Sequence, residues 1–103
     1  MTRLRLGLVL STRPWVRALH SHVTDHLPEV SATVIRDSRA ALDAVDVVLL
    51  DDITPWLTPS FVDTAAQHGV TLVGVYDSVE RGGRDRLRSL GISHVIDGAM
   101  PAA

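Results

Sequence analysis

The chain of 103 residues predicts an α/β fold: a five-stranded parallel sheet of order 2-1-3-4-5 with helices on both faces. Three observations predict it. Strand-like and helix-like segments alternate strictly, which implies parallel strands joined by right-handed crossovers. The runs DVVLL (46–50) and VTLVGVY (70–76) are almost continuously apolar, as expected of strands covered on both faces. EVSATVI (29–35) alternates and is half polar, which suits a sheet edge.

Each element has its own warrant. RLRLGLVL (3–10) places Leu4, Leu6, Leu8 and Leu10 at period two and reads as the first strand. In the segment after it, Pro14 suits a first helical turn, where its missing N–H would be unsatisfied anyway. Trp15, Leu19, Val23 and Leu27 then stack at helical spacing with Val16 beside them, and Pro28 ends the helix. After the second strand, DSRAALDAV (37–45) predicts a short helix capped by Asp37 or Ser38. TPSFVDTAAQHG (58–69) predicts a helix with Thr58 as cap, Pro59 in the first turn, Gly69 as terminator and an inner face of Phe61, Val62, Ala65 and Ala66. DSVERGGRDRLRSLG (77–91) predicts a weak helix, because Gly82 and Gly83 would each cost about 1 kcal/mol in its interior. SHVI (93–96) is the last strand. The strand order is that of flavodoxin-like folds, in which a fifth helix follows the last strand; that helix is missing here, so a further segment or a partner is expected to cover that face. The expected organisation is one domain over residues 1–98, with 99–103 a tail or the start of a linker.

Composition narrows the function classes. Hydrophobic residues make up 46% of the chain, enough for a packed core. The net charge is −2 with no long run of either sign, which argues against a nucleic-acid partner. No cysteine is present, which removes disulfides, thiolate metal sites and thiol catalysis. All ten of the Lys-plus-Arg total are arginines, so no chemistry can rest on a lysine amine. No apolar run approaches the roughly 18 residues of a membrane span, and the apolar N-terminus reads as a strand rather than a leader. The expected compartment is the cytoplasm, with no membrane partner.

The most informative stretch is DVVLLDDITP (46–55), where a buried strand delivers a carboxylate to a loop. With LVLSTRPWVRALH (8–20) and LGISHVIDGAMP (90–101), it resembles the CheY-like receiver domain of bacterial response regulators. The resemblance implies that Asp51 occupies the phospho-acceptor position, with Pro55 four residues on. It also implies that Ser11 and Thr12 stand where the family holds its magnesium-binding acids. The hydroxyl position closing strand four falls at Tyr76 or Asp77, and the lysine position after strand five at Asp97 or Gly98. Phosphotransfer to a carboxylate needs cations to neutralise the phosphoryl oxygens, and those positions are lost. The chain therefore resembles a degenerate receiver, or pseudo-receiver. Within that group it is similar to the N-terminal domain of actinobacterial MinD/ParA-type ATPases, septum-site-determining or CpaE-like. No GxxxxGK[ST] occurs, so an attached ATPase would lie beyond Ala103.

Several residues carry alternatives. Asp51 either accepts a phosphoryl group or caps the loop after the third strand. Asp51, Asp52, Asp77 and Asp97 all follow strand ends and either coordinate a hard cation or bind loop N–H groups. Arg13 is placed to fold into the vacated pocket and pair with Asp51. Trp15 either packs in the core or anchors a partner; Trp56 is equally open to both. His22 and His26, four apart on a helix, could chelate zinc but read as a solvated face. ERGGRDRLR (80–88) lacks the aromatics of a nucleic-acid site.

The expected function is non-catalytic: a protein-interaction or regulatory domain, without cofactor or metal. Its partners would be an attached ATPase, another protein or a second copy. The contact surface is expected on the last strand and the helix before it, with Val79, Arg84, Leu87 and Arg88, together with Trp56. The alternatives are a phosphorylatable receiver using Asp51 and a small-ligand sensor whose crevice is lined by Ser11, Thr12, Arg13, Asp51 and Asp77.

Overall fold

Strand β1 (Leu4–Val9) lies inside the sheet, with β2 (Val30–Ile35) on one side and the central strand β3 (Val47–Asp51) on the other. Strands β4 (Thr71–Tyr76) and β5 (His94–Asp97) complete the order β2-β1-β3-β4-β5, all pairs parallel. The computed structural model describes residues 4–11, 13–26, 29–37, 42, 45–77 and 82–97. The predicted order and edge are observed. The helix expected over 37–45 lies largely outside the described residues, as do Thr12, Val79 and the tail from Gly98.

Strand alternation sorts the core into two layers. Leu8, Leu49 and Val75 point to the side of helix α1 (Trp15–His26) and pack with Trp15 and Val16. Val9, Val48, Leu50 and Leu72 point to the other side, beneath helix α2 (Pro59–Gln67) and helix α3 (Gly83–Ser89). Phe61 and Ala65, one turn apart, supply the inner stripe of α2. Ala66, expected on that stripe, is exposed, because one residue further turns it about 100° away.

The helix ends follow the sequence signals. Thr58 caps α2, its hydroxyl accepting from the Phe61 N–H at 3.1 Å, with Pro59 as the first helical residue. At the other end Gly69 takes φ of +71°, the Val70 N–H reaches the Ala65 carbonyl at 3.0 Å, and the Gly69 N–H reaches Ala66 at 3.1 Å. This Schellman turn satisfies the last carbonyls and aims the chain into β4. Gly91 and Ile92 repeat it after α3.

The glycine pair in the α3 segment departs from expectation. Gly82 is the cap and Gly83 the first helical residue, so neither sits in the interior and neither carries the full interior cost. Leu87, expected on the surface, is fully buried. It packs over Gly74, where an added Cβ would stand 2.8 Å from its Cδ1. The missing side chain in β4 is what lets α3 approach the sheet closely.

At the opposite end of the sheet from the strand C-termini, Arg5 clamps Asp46. The Arg5 N–H donates to Asp46 Oδ2 at 2.9 Å, and its guanidinium makes bonds of 3.3 and 3.0 Å to the two oxygens. The side-chain hydrogen bond from Arg5, followed by that from its backbone, holds the Asp46 carboxyl below its ordinary value; the same pair raises Arg5.

Candidate functional site

In a parallel α/β sheet the C-terminal strand ends converge on one edge, and side chains placed there are brought together from distant sequence. Asp51 is the last residue of β3 and only 1% exposed. Alternation along β3 places it on the same face as Val47 and Leu49, towards α1.

Three side chains close over its carboxyl group. Ser11, two residues past β1, donates its hydroxyl to Oδ2. Trp15, the first residue of α1, donates its indole N–H to the same oxygen at 3.1 Å. Thr54 donates its hydroxyl to Oδ1 at 3.1 Å, while its N–H reaches the Asp51 carbonyl at 3.2 Å. The indole N–H can only donate, so Oδ2 must accept. Ser11 Oγ in turn accepts the Arg13 N–H at 3.1 Å, which leaves its own hydrogen for Asp51. Every described buried side-chain N or O atom has a partner. The cluster thus ties the start of α1, the end of β1 and the loop after β3 to one group.

Arg13 turns to Asp52 rather than to Asp51. The two side chains are only 10% and 9% exposed. Asp52 in turn lies against the first residue of α3: a Cβ on Gly83 would stand 3.0 Å from Asp52 Oδ2. The pair therefore bridges the segment before α1 to the start of α3. The difference from expectation has a simple cause. Asp51, pointing towards α1, is already filled by neutral donors, whereas Asp52, one residue on, points away and has room for a cation.

The remaining predicted residues are spread around this edge. Tyr76 and Asp97 face each other at the ends of β4 and β5, both half-buried. Asp77, also half-buried, follows Tyr76 and, like Asp97, is engaged in an interaction. Among the described residues no group of three or more His, Asp or Glu side chains is placed to hold a metal ion. Trp56 is half-buried and meets Phe61 edge-on at 4.9 Å between ring centres, so it packs on the core instead of standing free. His22 and His26 lie on α1 with ring centres 4.9 Å apart.

Of the residues expected to line a ligand crevice, Asp51 is sealed by its partners, and Thr12 lies outside the described residues. An open groove of about 760 Å³ runs outward between α1 and the ends of β1 and β2, lined by Leu10, Ser11, Arg13 and Val34 among others. The Trp15 contact is the functional feature that sequence reasoning missed. Periodicity placed the ring on the inner stripe of α1 but ignored its polar end, which needs a partner once buried.

No protein-family profile matches the sequence, and no curated protein matches it. Solved structures do. A chain of the Saccharomyces cerevisiae complex of the phosphotransfer protein Ypd1 with the Ssk1 receiver domain aligns at TM-score 0.68 and 13% identity, over 96% of this chain and 81% of that one. Vibrio cholerae chemotaxis protein CheY4 aligns at 0.65 and 15%, over 95% and 88%. The pilus assembly protein CpaE of Caulobacter crescentus aligns at 0.58 and 17%, over 95% and 84%. The chain has the receiver fold. At these identities the likeness concerns the receiver fold alone, and the chemistry must be argued from the Asp51 cluster. No described helix is long and apolar enough to cross a membrane.

Proposed function

We propose that this chain is a non-catalytic pseudo-receiver: a domain that keeps the receiver fold as a platform for protein–protein contact and does not accept phosphate. The observation that carries this reading is the occupation of both Asp51 oxygens by Ser11, Trp15 and Thr54 under nearly complete burial. In-line attack on a phosphoryl donor needs an oxygen open to the incoming group and cations around the leaving charge. At Asp51 the approach is filled by hydroxyls and an indole. Ser11 also supplies a direct hydrogen bond where an acid would repel the carboxylate and require a metal between them.

The receiver fold of CpaE, named as a pilus assembly protein, supports a finer reading in which the domain precedes a MinD/ParA-like ATPase in pilus assembly or cell division, in the cytoplasm. Partners in that reading are the attached ATPase, another protein or a second copy. The exposed part of the contact surface is Arg84 and Arg88 on α3 together with β5; Leu87 supports it from below.

The test is a titration with beryllofluoride and magnesium, followed by backbone NMR. The expected result is no specific shift at residues 51–55 or in the loop after β4. A saturable shift centred on Asp51 would make it a working receiver instead.

A further inference from the structure

Strand β5 is the end of the sheet and, among the described residues, pairs only with β4. A cavity of about 410 Å³ lies against it, lined by Arg84 and Arg88 of α3, Tyr76, and the consecutive residues 93–96. The cavity follows three consecutive residues of β5, and among the described residues the side of that strand away from β4 has no strand partner. Ile96 is 45% exposed beside it.

Asp97, engaged in an interaction, ends the strand, but the cavity itself is lined by two guanidinium groups. No acid lines it. Arg84 and Arg88, four apart on α3, share one side of the helix, and among the described residues neither guanidinium has an ion-pair or hydrogen-bond partner. In a chain of net charge −2, two unpaired guanidiniums over an open strand edge are a local excess of positive charge. Their separation also carries information. Four helical residues rise about 6 Å. Two residues of an extended strand rise about 6.6 Å. Acids at alternate positions of a strand laid beside β5 would therefore meet Arg84 and Arg88 in turn. The residues between them would point to the other face, against Ile96, which shares its face with Val75 by register.

We infer that the β5 edge is a docking site for an extended acidic segment of a protein partner, in which carboxylates alternate with apolar residues and the backbone adds a sixth strand to the sheet. The inference rests on reading the chain as an interaction domain and specifies the chemistry of the partner. Main-chain pairing supplies affinity in this mode and the alternating side chains supply selection. The carboxylate–guanidinium contacts are charge-assisted and planar, suited to arginine.

The experiment titrates the isotopically labelled chain with a synthetic peptide of alternating glutamate and valine, and separately with a peptide of the same composition with its glutamates grouped, with an alternating lysine–valine peptide, and with inorganic phosphate. The expected result is amide shifts confined to residues 93–97 and to α3 for the alternating acidic peptide, with affinity that falls on adding salt. The grouped and lysine peptides should bind at least about tenfold more weakly, as should the alternating acidic peptide to the Arg84→Glu/Arg88→Glu variant. Both positions are exposed, so the variant is expected to retain its dispersion and its unfolding midpoint. Equal binding of grouped and alternating peptides, unchanged binding to the variant, or absence of shifts at 93–97 would each overturn the inference. Shifts of the same residues with phosphate alone would assign the site to a free anion and overturn strand addition. Concentration-dependent broadening at 93–97 without peptide would assign the edge to a second copy and overturn it too. None of these readouts involves Asp51, so the peptide result and the phosphate-silent reading stand or fall separately.

Discussion

Replacing Asp51 by alanine removes the acceptor on which three donors converge, and the structure fixes the sign of the effect. The Trp15 indole N–H, on a residue only 6% exposed, would be left without an acceptor, at a cost of about 1–3 kcal/mol. Thr54 is 8% exposed and loses one hydroxyl bond, about 1 kcal/mol, though its hydroxyl can turn. Ser11 is half-buried and can turn to water. The total is about 2–4 kcal/mol, or a fall of roughly 10–25 °C in Tm for a domain of this size. Asp51→Asn should cost less, about 1 kcal/mol, because its oxygen still serves Ser11 and Trp15 while its amide faces Thr54, whose hydroxyl can accept. Urea unfolding of the three proteins, with Trp15→Phe added to form a double-mutant cycle, is the assay. A coupling of about 1 kcal/mol between positions 15 and 51 is expected. The contrary outcome is instructive. A carboxylate poised for chemistry is commonly strained, and its removal stabilises the fold. If Asp51→Ala unfolded at the same or higher urea, the polar cluster would not be a structural tie and the reasoning would be refuted.

Two further predictions rest on the ion pairs. Arg13→Ala leaves the Asp52 carboxylate almost buried without its partner and should cost about 3 kcal/mol; the double variant Arg13→Ala/Asp52→Ala should recover part of this, as measured by urea midpoints. At the other end of the sheet, Asp46 has a folded value lowered from the ordinary 3.8 by its hydrogen bonds from Arg5. A lowered value means that the pair stabilises the fold above the ordinary carboxylate range and that this is lost as pH falls through the lower folded value. The gap in urea midpoint between the native chain and Asp46→Asn should therefore be present near neutrality and close on acidification; a gap independent of pH would contradict the assignment.

The fold was legible because its signals are local and redundant. DVVLL and VTLVGVY name central strands by apolar continuity, and Thr58-Pro59 and Gly69 delimit α2 by the bonds they make or forgo. The glycines of α3 were misplaced because a Gly-Gly pair reads alike as a weak interior or as a cap, and only the close approach over Gly74 sets the register of the helix. Leu87 was misread for the same reason: its inward direction depends on where that helix starts. At the site, strand ends placed Ser11, Arg13, Asp51 and Asp52 at one edge, as the sequence implied. Which carboxylate met the arginine was not legible. Asp51 and Asp52 are adjacent and chemically identical, but Asp51 ends β3 facing α1, whereas Asp52 lies in the turn after it, against the start of α3. Trp15 illustrates a different limit, since a hydrophobic stripe records where a ring is buried and not which polar atom its edge must meet.

On the proposed reading, Asp51 is closed to phosphoryl transfer by the groups that hold it. Incubation with acetyl phosphate and magnesium, read by intact mass and by peptide mapping of residues 46–55, tests it most directly. An unmodified chain is expected under conditions that phosphorylate a control receiver. Conversion to an Asp51 acyl phosphate at a comparable rate would contradict that reading.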